Sequence, residues 1–436
     1  MKPSAVEVRS YQVGFGDCFL LSFVYPKKTR RHVLIDFGTT ALPRRGSKPV
    51  NQADHMERIA TDIAQVSGGQ LTAVVATHRH ADHISGFATT AKGGGSGRII
   101  ADCKPKLVLQ PWTEDPKAAR DARKATADSS RSRRSFVSGL NAMHRVAHAV
   151  CKIGTAPPRS MPVSIAKELA FLGMDNIKNE SAVKNLIAMG ARRGATAVWA
   201  HHGSTSGLSR LLPGVRVHVL GPPDLTQSEK IRRMRSSDPH EFWQLMAGPK
   251  ALRGMGIARR SAGGKGRVPA EARWFQQRLA TMTSEQLLEI VRVLDDEMNN
   301  TSLILLFEVG SKKLLFPGDA QLENWSWALE EAPDATRTQK LLAKVDLYKV
   351  GHHGSRNATP KQMLWDRFLK RGGPGARRMK SLLSTLPGKH GNTLKKTEVP
   401  RRTLREALDQ QTDLVDTQKL SMAAKAPLCH VVTIPV

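Results

Sequence analysis

Ala76-Thr77-His78-Arg79-His80-Ala81-Asp82-His83 decides how this chain is organised and what it can bind. Three imidazoles and one carboxylate fall within a few residues of each other. They follow directly on Leu71-Thr72-Ala73-Val74-Val75, an apolar run of strand length. In an extended turn, His78 and His80 point the same way and can share one metal ion. Asp82 and His83 then reach a second ion beside it. Solvated surface histidines do not belong at the end of a strand that reads as buried, and side chains that carry chemistry gather at such ends. Imidazole and carboxylate suit zinc, and also manganese or iron.

Two more strand ends carry ligand-type residues. Asp319 follows Leu314-Leu315-Phe316-Pro317-Gly318, where a carboxylate can bridge two ions with one oxygen on each. His352 and His353 follow Tyr348-Lys349-Val350. One of these imidazoles can complete the second ion's shell, and the other can hold substrate or orient a carboxylate. Alone, a Gly-Asp turn or a His-His pair is an ordinary surface feature. Three ligand-bearing strand ends in one chain are not ordinary.

Around these motifs the pattern alternates strands with helices. Val6 to Val24 reads as two strands flanking Gly14-Phe15-Gly16-Asp17, and His32 to Asp36 as a third. Asn51 to Gln65 has helical spacing at Met56, Ile59 and Ile63 and stops at Gly68-Gly69. Strands are expected at Ala197 to Ala200, Val215 to Leu220, Ser302 to Glu308, Lys313 to Phe316, Asp346 to Val350 and Lys380 to Thr385. Helices are expected over Thr283 to Asp296 and Arg402 to Asp409. The fold class is therefore α/β (α+β), with chemistry at strand ends. Residues 1–95 and 265–436 form the expected core, and 96–264 a basic insertion interleaved with some core strands.

The 436 residues are 40% hydrophobic and 24% charged, enough apolar material to exclude a wholly disordered chain. Lys plus Arg is 67 against 38 for Asp plus Glu, a net charge of +29. That excess points to a polyanionic partner, DNA or RNA held through a basic surface. A genome rich in Arg and Ala codons is the other source of such a charge. At 5% aromatic residues the composition argues against an extended base-stacking platform, so the expected grip is mostly electrostatic. Four cysteines without a C-x-x-C argue against a disulfide framework and against a thiolate zinc finger. No apolar run reaches the roughly 20 residues of a membrane span, and Met1 to Asp17 lacks a signal-peptide core. The expectation is a soluble, cytoplasmic protein.

Taken in order, the motifs resemble those of the metallo-β-lactamase-fold hydrolases. Within that superfamily they are similar to the branch containing the soluble domain of the competence DNA-uptake channel protein. The similarity lies at Val13-Gly14-Phe15-Gly16-Asp17, Leu34-Ile35-Asp36-Phe37-Gly38 and Ala76 to His83. It continues at Asn300-Thr301-Ser302-Leu303, Pro317-Gly318-Asp319 and Lys349-Val350-Gly351-His352-His353-Gly354-Ser355. It frames residues 5–95 and 297–390 and leaves the stretch between them uncovered.

The resemblance implies an αββα sandwich, a binuclear site with two divalent ions (Zn2+ first, Mn2+ or Fe2+ as alternatives) and hydrolysis. In this branch it implies phosphodiesterase or nuclease chemistry, with a hydroxide between the ions as nucleophile. Carried over by position, His78 and His80 hold the first ion, Asp82 and His83 the second, and Asp319 bridges. His353, beside Gly354, is preferred over His352 to complete the second ion. Asp36 supports the metal loop. Many members of the family have a further histidine ligand between the first motif and the bridging aspartate. Here His202, in His201-His202-Gly203-Ser204, is the one candidate. His390, in Gly388-Lys389-His390-Gly391, is a candidate to contact a phosphate or protonate a leaving group, and so to share the catalytic role with Asp82. The membrane-spanning part of the channel protein has no counterpart here, so a DNA-transport role does not carry over. Two other functions fit the same residues. One is hydrolysis of a small anionic ester such as a nucleotide, a phosphorylcholine-like ester, a lactone or a thioester. The other is a non-catalytic, basic nucleic-acid-binding protein.

Overall fold

β1 (Ala5–Tyr11) buries every second side chain, and β2 (Cys18–Val24) and β3 (Arg30–Phe37) bury nearly all of theirs. Strict alternation marks a strand with one face toward the core, and continuous burial marks strands covered on both faces. The computed structural model describes residues 1–46, 48–116, 156, 179–224, 227, 299–355, 357–369, 378–390 and 398–436. Among these, two mixed sheets carry the fold. The first has the order β13-β1-β2-β3-β4-β5-β6 and the second β12-β11-β10-β9-β8-β7.

In the first sheet, β13 (Cys429–Pro435), β1, β2 and β3 pair antiparallel. From β3 onward the pairing to β4 (Ala73–Val75), β5 (Leu107–Pro111) and β6 (Thr196–Ala200) is parallel. Parallel neighbours need crossover connections. Helix α1 (Gln52–Val66) lies between β3 and β4 in the chain, α2 (Ala81–Ile84) and α3 (Ser96–Asp102) between β4 and β5, and α4 (Asn179–Ala191) between β5 and β6. Asn51 caps α1 by accepting from the backbone N–H groups of Ala53 and Asp54. Met56, Ile59, Ala60 and Ile63 make its buried face, as the spacing required.

In the second sheet, β7 (Val215–Gly221), β8 (Ile304–Val309) and β9 (Lys312–Phe316) pair antiparallel, with Gly310 at positive φ in the turn between the last two. β10 (Leu347–Lys349), β11 (Lys380–Leu383) and β12 (Asp413–Asp416) then add in parallel. Helices α5 (Ala335–Leu342) and α6 (Arg402–Gln411) connect within this half.

Three apolar clusters follow from these faces. Phe19, Phe23, Ile35, Val75 and Leu109 meet Leu305, Phe307, Leu314, Phe316 and Leu382 between the sheets. Phe19 and Phe316 pack edge to face at 5.8 Å. The other face of the first sheet, with Leu34, Val74 and Val108, packs on Ile59, Ile63, Ile100 and Leu186 of α1, α3 and α4. The other face of the second sheet, with Leu306, Leu315 and Tyr348, packs on Trp325, Leu342 and Leu408. β5, β6 and β7 arise within residues 96–264, so strands of that stretch belong to the two sheets. The basic run Lys117 to Arg134 and the helix expected over Thr283 to Asp296 lie outside the described residues. Among those described, no helix is long and apolar enough to cross a membrane.

His32 sits buried on β3, with Nδ1 2.9 Å from Ser22 Oγ. Burial, followed by the charges of Arg30 and Arg9, pushes its imidazole down to about 4. The folded state therefore keeps His32 neutral, whereas the unfolded chain protonates it below about 6.5. Stability from this site is complete at neutral pH and is lost as pH falls from about 6.5 toward 4. Between pH 7.5 and pH 5 the loss should be about 2 kcal/mol. Urea unfolding of the wild type and His32→Gln at both pH values checks it. The variant should lose about 2 kcal/mol less on acidification, and equal losses would refute the assignment.

Candidate metal centre

The carboxyl ends of parallel strands β3, β4, β9, β10 and β11 meet at one edge of the two sheets, and their following residues build the centre. Asp36 is the second-to-last residue of β3, β4 leads into Thr77-His78, β9 into Asp319, and β10 into His352-His353. Asp17, just before β2, joins them from the antiparallel side. The metal loop lies tightly on the end of β3. A Cβ on Gly38 would meet the backbone of Ala81, Asp82 and His83 at 2.5 Å, so only glycine fits there. Asp36, His352 and His353 all have positive φ (54°, 42° and 51°). They are three of the five non-glycine residues in that region among those described. Each such residue costs on the order of 1 kcal/mol, and such strain collects at functional sites.

Two donor groups share Asp82: His78, His80 and Asp82 form one, and Asp82, His83, Asp319 and His353 form the other. A third, Asp17, Asp36 and His83, adjoins them, and all are buried. Hydrogen bonds fix which nitrogen of each ring faces inward. Thr77 Oγ1 donates to Asp36 Oδ2 at 2.7 Å, so it can only accept from His78 Nδ1 at 3.2 Å. His83 Nδ1 donates to Asp36 Oδ2 at 2.8 Å, and His353 Nδ1 to the Ser384 carbonyl at 2.9 Å. The Nε2 atoms of His78, His83 and His353 are thereby the ones turned toward the cluster, where they could bind a cation. His78 Nε2 and His80 Nδ1 stand 3.1 Å apart. His353 Nε2 lies 3.0 Å from Asp82 Oδ2. His83 Nε2 and Asp319 Oδ2 lie 3.0 Å apart, yet neither atom makes a hydrogen bond. Asp82 Oδ1 is likewise buried without a hydrogen-bond partner. Buried polar atoms are almost always satisfied, and several orphans facing one point are what a cation requires.

Electrostatics leads to the same result. Asp17, Asp36, Asp82 and Asp319 are buried against one buried ammonium, Lys349, a formal balance of 1 − 4 = −3. Charge of that size does not stay uncompensated inside a protein. Burial alone would raise Asp82, but His83 and His353 hold it far below the usual carboxylate range. Burial alone would depress His83, but the carboxylates of Asp319, Asp36, Asp82 and Asp17 hold it well above its ordinary value. Metal-free, the cluster therefore recruits protons. Two divalent cations would change the balance to −3 + 4 = +1 and release them. His78 is driven well below its ordinary value by burial and by the neighbouring His83 and His80, and so stays a neutral ligand.

The sequence expectations for Asp319 and His202 change on the structure, and those for His353 and Asp36 do not. Asp319 was expected to have both oxygens available, one for each of two ions, but one of them is engaged within the protein. Its Oδ1 accepts from Lys349 Nζ at 3.2 Å and from the His352 N–H at 3.1 Å, so only Oδ2 faces the donor groups. Of the adjacent pair, His353 belongs to a donor group. His352 is partly exposed, with Nε2 3.8 Å from Asp319 Oδ2. His202 is not brought to the centre. Its Nδ1 is 2.8 Å from the Leu220 carbonyl and its Nε2 2.8 Å from Asp334 Oδ1, so both nitrogens are committed elsewhere. His390 lies at the rim, its ring 4.8 Å from that of Phe15, which in turn stacks at 4.4 Å on His353. Asp36 touches Thr77 and His83 and joins no group that contains His78 or His80.

Sequence reasoning assigned no role to Asp17 or Lys349. Lys349 is fully buried, forms an ion pair with Asp17 and also donates to the Gly318 carbonyl at 3.0 Å. A lysine closing an apolar parallel strand, Leu347-Tyr348-Lys349-Val350, was the available signal. No family model matches the chain, and no curated protein matches it.

Lys349→Met should leave Asp17 and Asp319 without their cation and destabilise the metal-free protein by roughly 3–5 kcal/mol. Adding Asp17→Asn should recover part of that loss. Denaturant unfolding of the single and double variants measures the coupling, and purely additive losses would rule out the pairing.

Proposed function

We propose that this chain is a binuclear-metal-dependent hydrolase with an αββα metallo-β-lactamase-type sandwich, acting on phosphodiesters of DNA or RNA. One observation carries the reading: two buried donor groups share Asp82 at the common edge of two sheets. Donor groups that share a carboxylate suit two closely spaced ions, the arrangement used for in-line displacement at phosphorus. Three apolar clusters, one between the sheets and one outside each, support the sandwich. With ions bound, the centre supplies Lewis acidity and brings water to a useful pKa near neutrality.

The chain's own residues do the rest. His78, His80 and Asp82 hold one ion, and Asp82, His83, Asp319 and His353 the other. Asp36 fixes the His83 ring, and Lys349 turns Oδ2 of Asp319 toward the ions. Phe15 covers His353 and keeps water from that side. His390, whose ring lies against Phe15, is the proposed group to pass a proton to a departing oxygen. The net charge of +29 supports a polyanionic substrate, because phosphate contacts dominate such affinity.

Labelled single- and double-stranded DNA and RNA, incubated with Zn2+ or Mn2+, test the proposal. Cleavage should require metal, fall by orders of magnitude in Asp82→Ala/Asp319→Ala, and weaken steeply with salt. Two ions bound without nucleic-acid cleavage, but with turnover of a small phosphodiester or lactone, would move the substrate to small anionic esters. Nucleic-acid binding without any metal-dependent turnover would overturn the enzyme reading.

A further inference from the structure

The first donor group is short of ligands. It has two imidazoles and shares its one carboxylate with the second group, and His202 is committed elsewhere. What stands beside it instead is Asn299. This side chain is fully buried, and its Oδ1 lies 3.1 Å from His80 Nδ1. Its placement follows from the backbone. The Ser302 N–H donates to the Asn299 carbonyl at 3.0 Å, and the Leu303 N–H to the Thr77 carbonyl at 2.9 Å. The approach to β8 is thus tied to the metal loop, and Asn299 faces the histidines.

We infer that Asn299 Oδ1 is a ligand of the first metal, completing with His78 Nε2, His80 Nδ1 and Asp82 a site of two nitrogens and two oxygens. Three observations carry this. His80 Nδ1 lies 3.1 Å from both His78 Nε2 and Asn299 Oδ1. One ring nitrogen has either one proton or one lone pair, so it cannot satisfy both neighbours by hydrogen bonding. Ligands about 2.1 Å from a common ion lie roughly 3.0–3.4 Å from one another, so 3.1 Å is the separation expected across a metal. Finally, Asn299 Nδ2 is buried without a hydrogen-bond partner, so the amide is held through Oδ1 alone, on the side of the histidines.

A carbonyl oxygen is a harder donor than an imidazole. Where relatives by resemblance would carry a third nitrogen, this site carries oxygen, which narrows the advantage of Zn2+ over Mn2+. The inference rests on the metallohydrolase reading and refines its first site.

Calorimetric titration of the metal-free full chain with Zn2+ and with Mn2+ tests it, together with the visible d–d spectrum of the Co2+ form. Wild type should bind two ions. Asn299→Ala should weaken one of them at least tenfold and leave the other unchanged. Asn299→His should restore that ion, raise the Zn2+:Mn2+ affinity ratio at that site about tenfold, and shift the Co2+ bands. If Asn299→Ala does not fold, Asn299→Ser serves the same comparison, with far-UV circular dichroism as the check. Unchanged affinities in the truncated variant would overturn the assignment. So would weakened binding with wild-type selectivity and Co2+ bands in Asn299→His, because a residue that only positions His80 leaves the donor set unaltered. A wild type that binds no metal would sink the metallohydrolase reading itself, an outcome distinct from either.

Discussion

Buried negative charge at the shared edge of the two sheets is the constraint around which the rest of the molecule is arranged. Four carboxylates and one ammonium lie where water does not reach. The cost of such a cluster is of order several kcal/mol per uncompensated ion. It persists only because rigid strands on either side hold each group in one position. The apolar layer between the sheets supplies that rigidity. Phe19, Phe307 and Phe316 interlock there, and well-packed interiors resist displacement.

Local backbone chemistry gives way so that the cluster can form. Asp36 takes a left-handed conformation at the end of β3 and thereby serves Thr77 and His83 with the same carboxylate. His352 and His353 adopt it in succession, which aims His353 inward and leaves His352 partly exposed. Gly16 does the opposite service. A Cβ there would meet the Gly38 carbonyl at 2.2 Å and the Asp82 carbonyl at 2.8 Å, so its lack of a side chain lets three segments close on one another. Strain at the ends of strands and close contact between loops are two sides of one requirement, the convergence of residues far apart in sequence.

That distance also decides what was legible beforehand. The first motif is local: an apolar strand followed by His-x-His-x-Asp-His announces a candidate donor cluster within a few residues of chain. Strands and the capped helix over Asn51 to Gln65 are local patterns too, and they appear close to the expected bounds. The role of Lys349 is not local. It depends on Asp17, which is near the other end of the chain and reaches the site only once β2 lies beside β3. The engagement of Asp319 Oδ1 is hidden for the same reason, since it depends on Lys349 and the His352 N–H. His202 misleads because a His-His-Gly-Ser sequence after a strand looks alike in both places. Only the fold reveals that one copy faces Asp334 and the Leu220 carbonyl. Asn299 is silent in sequence because an amide adjoining another asparagine has no pattern of its own.

Asp82 shows how tightly the centre depends on the packing of the whole. Its backbone carbonyl accepts from Asp17 N–H at 2.8 Å, which fixes it to the first sheet. Its side chain meets His353, on the loop after β10 of the second sheet, across a sequence separation of 271 residues. It is also the one residue common to both donor groups. A slide of one sheet against the other by an ångström would open this contact and part Asp82 and His83 from Asp319 and His353 in the second group. The edge-to-face contacts among Phe19, Phe307 and Phe316 therefore act on the site through geometry alone, although none of them touches it. A donor set built from two sheets is only as precise as the interface between them, and here that interface is the largest apolar cluster in the described chain.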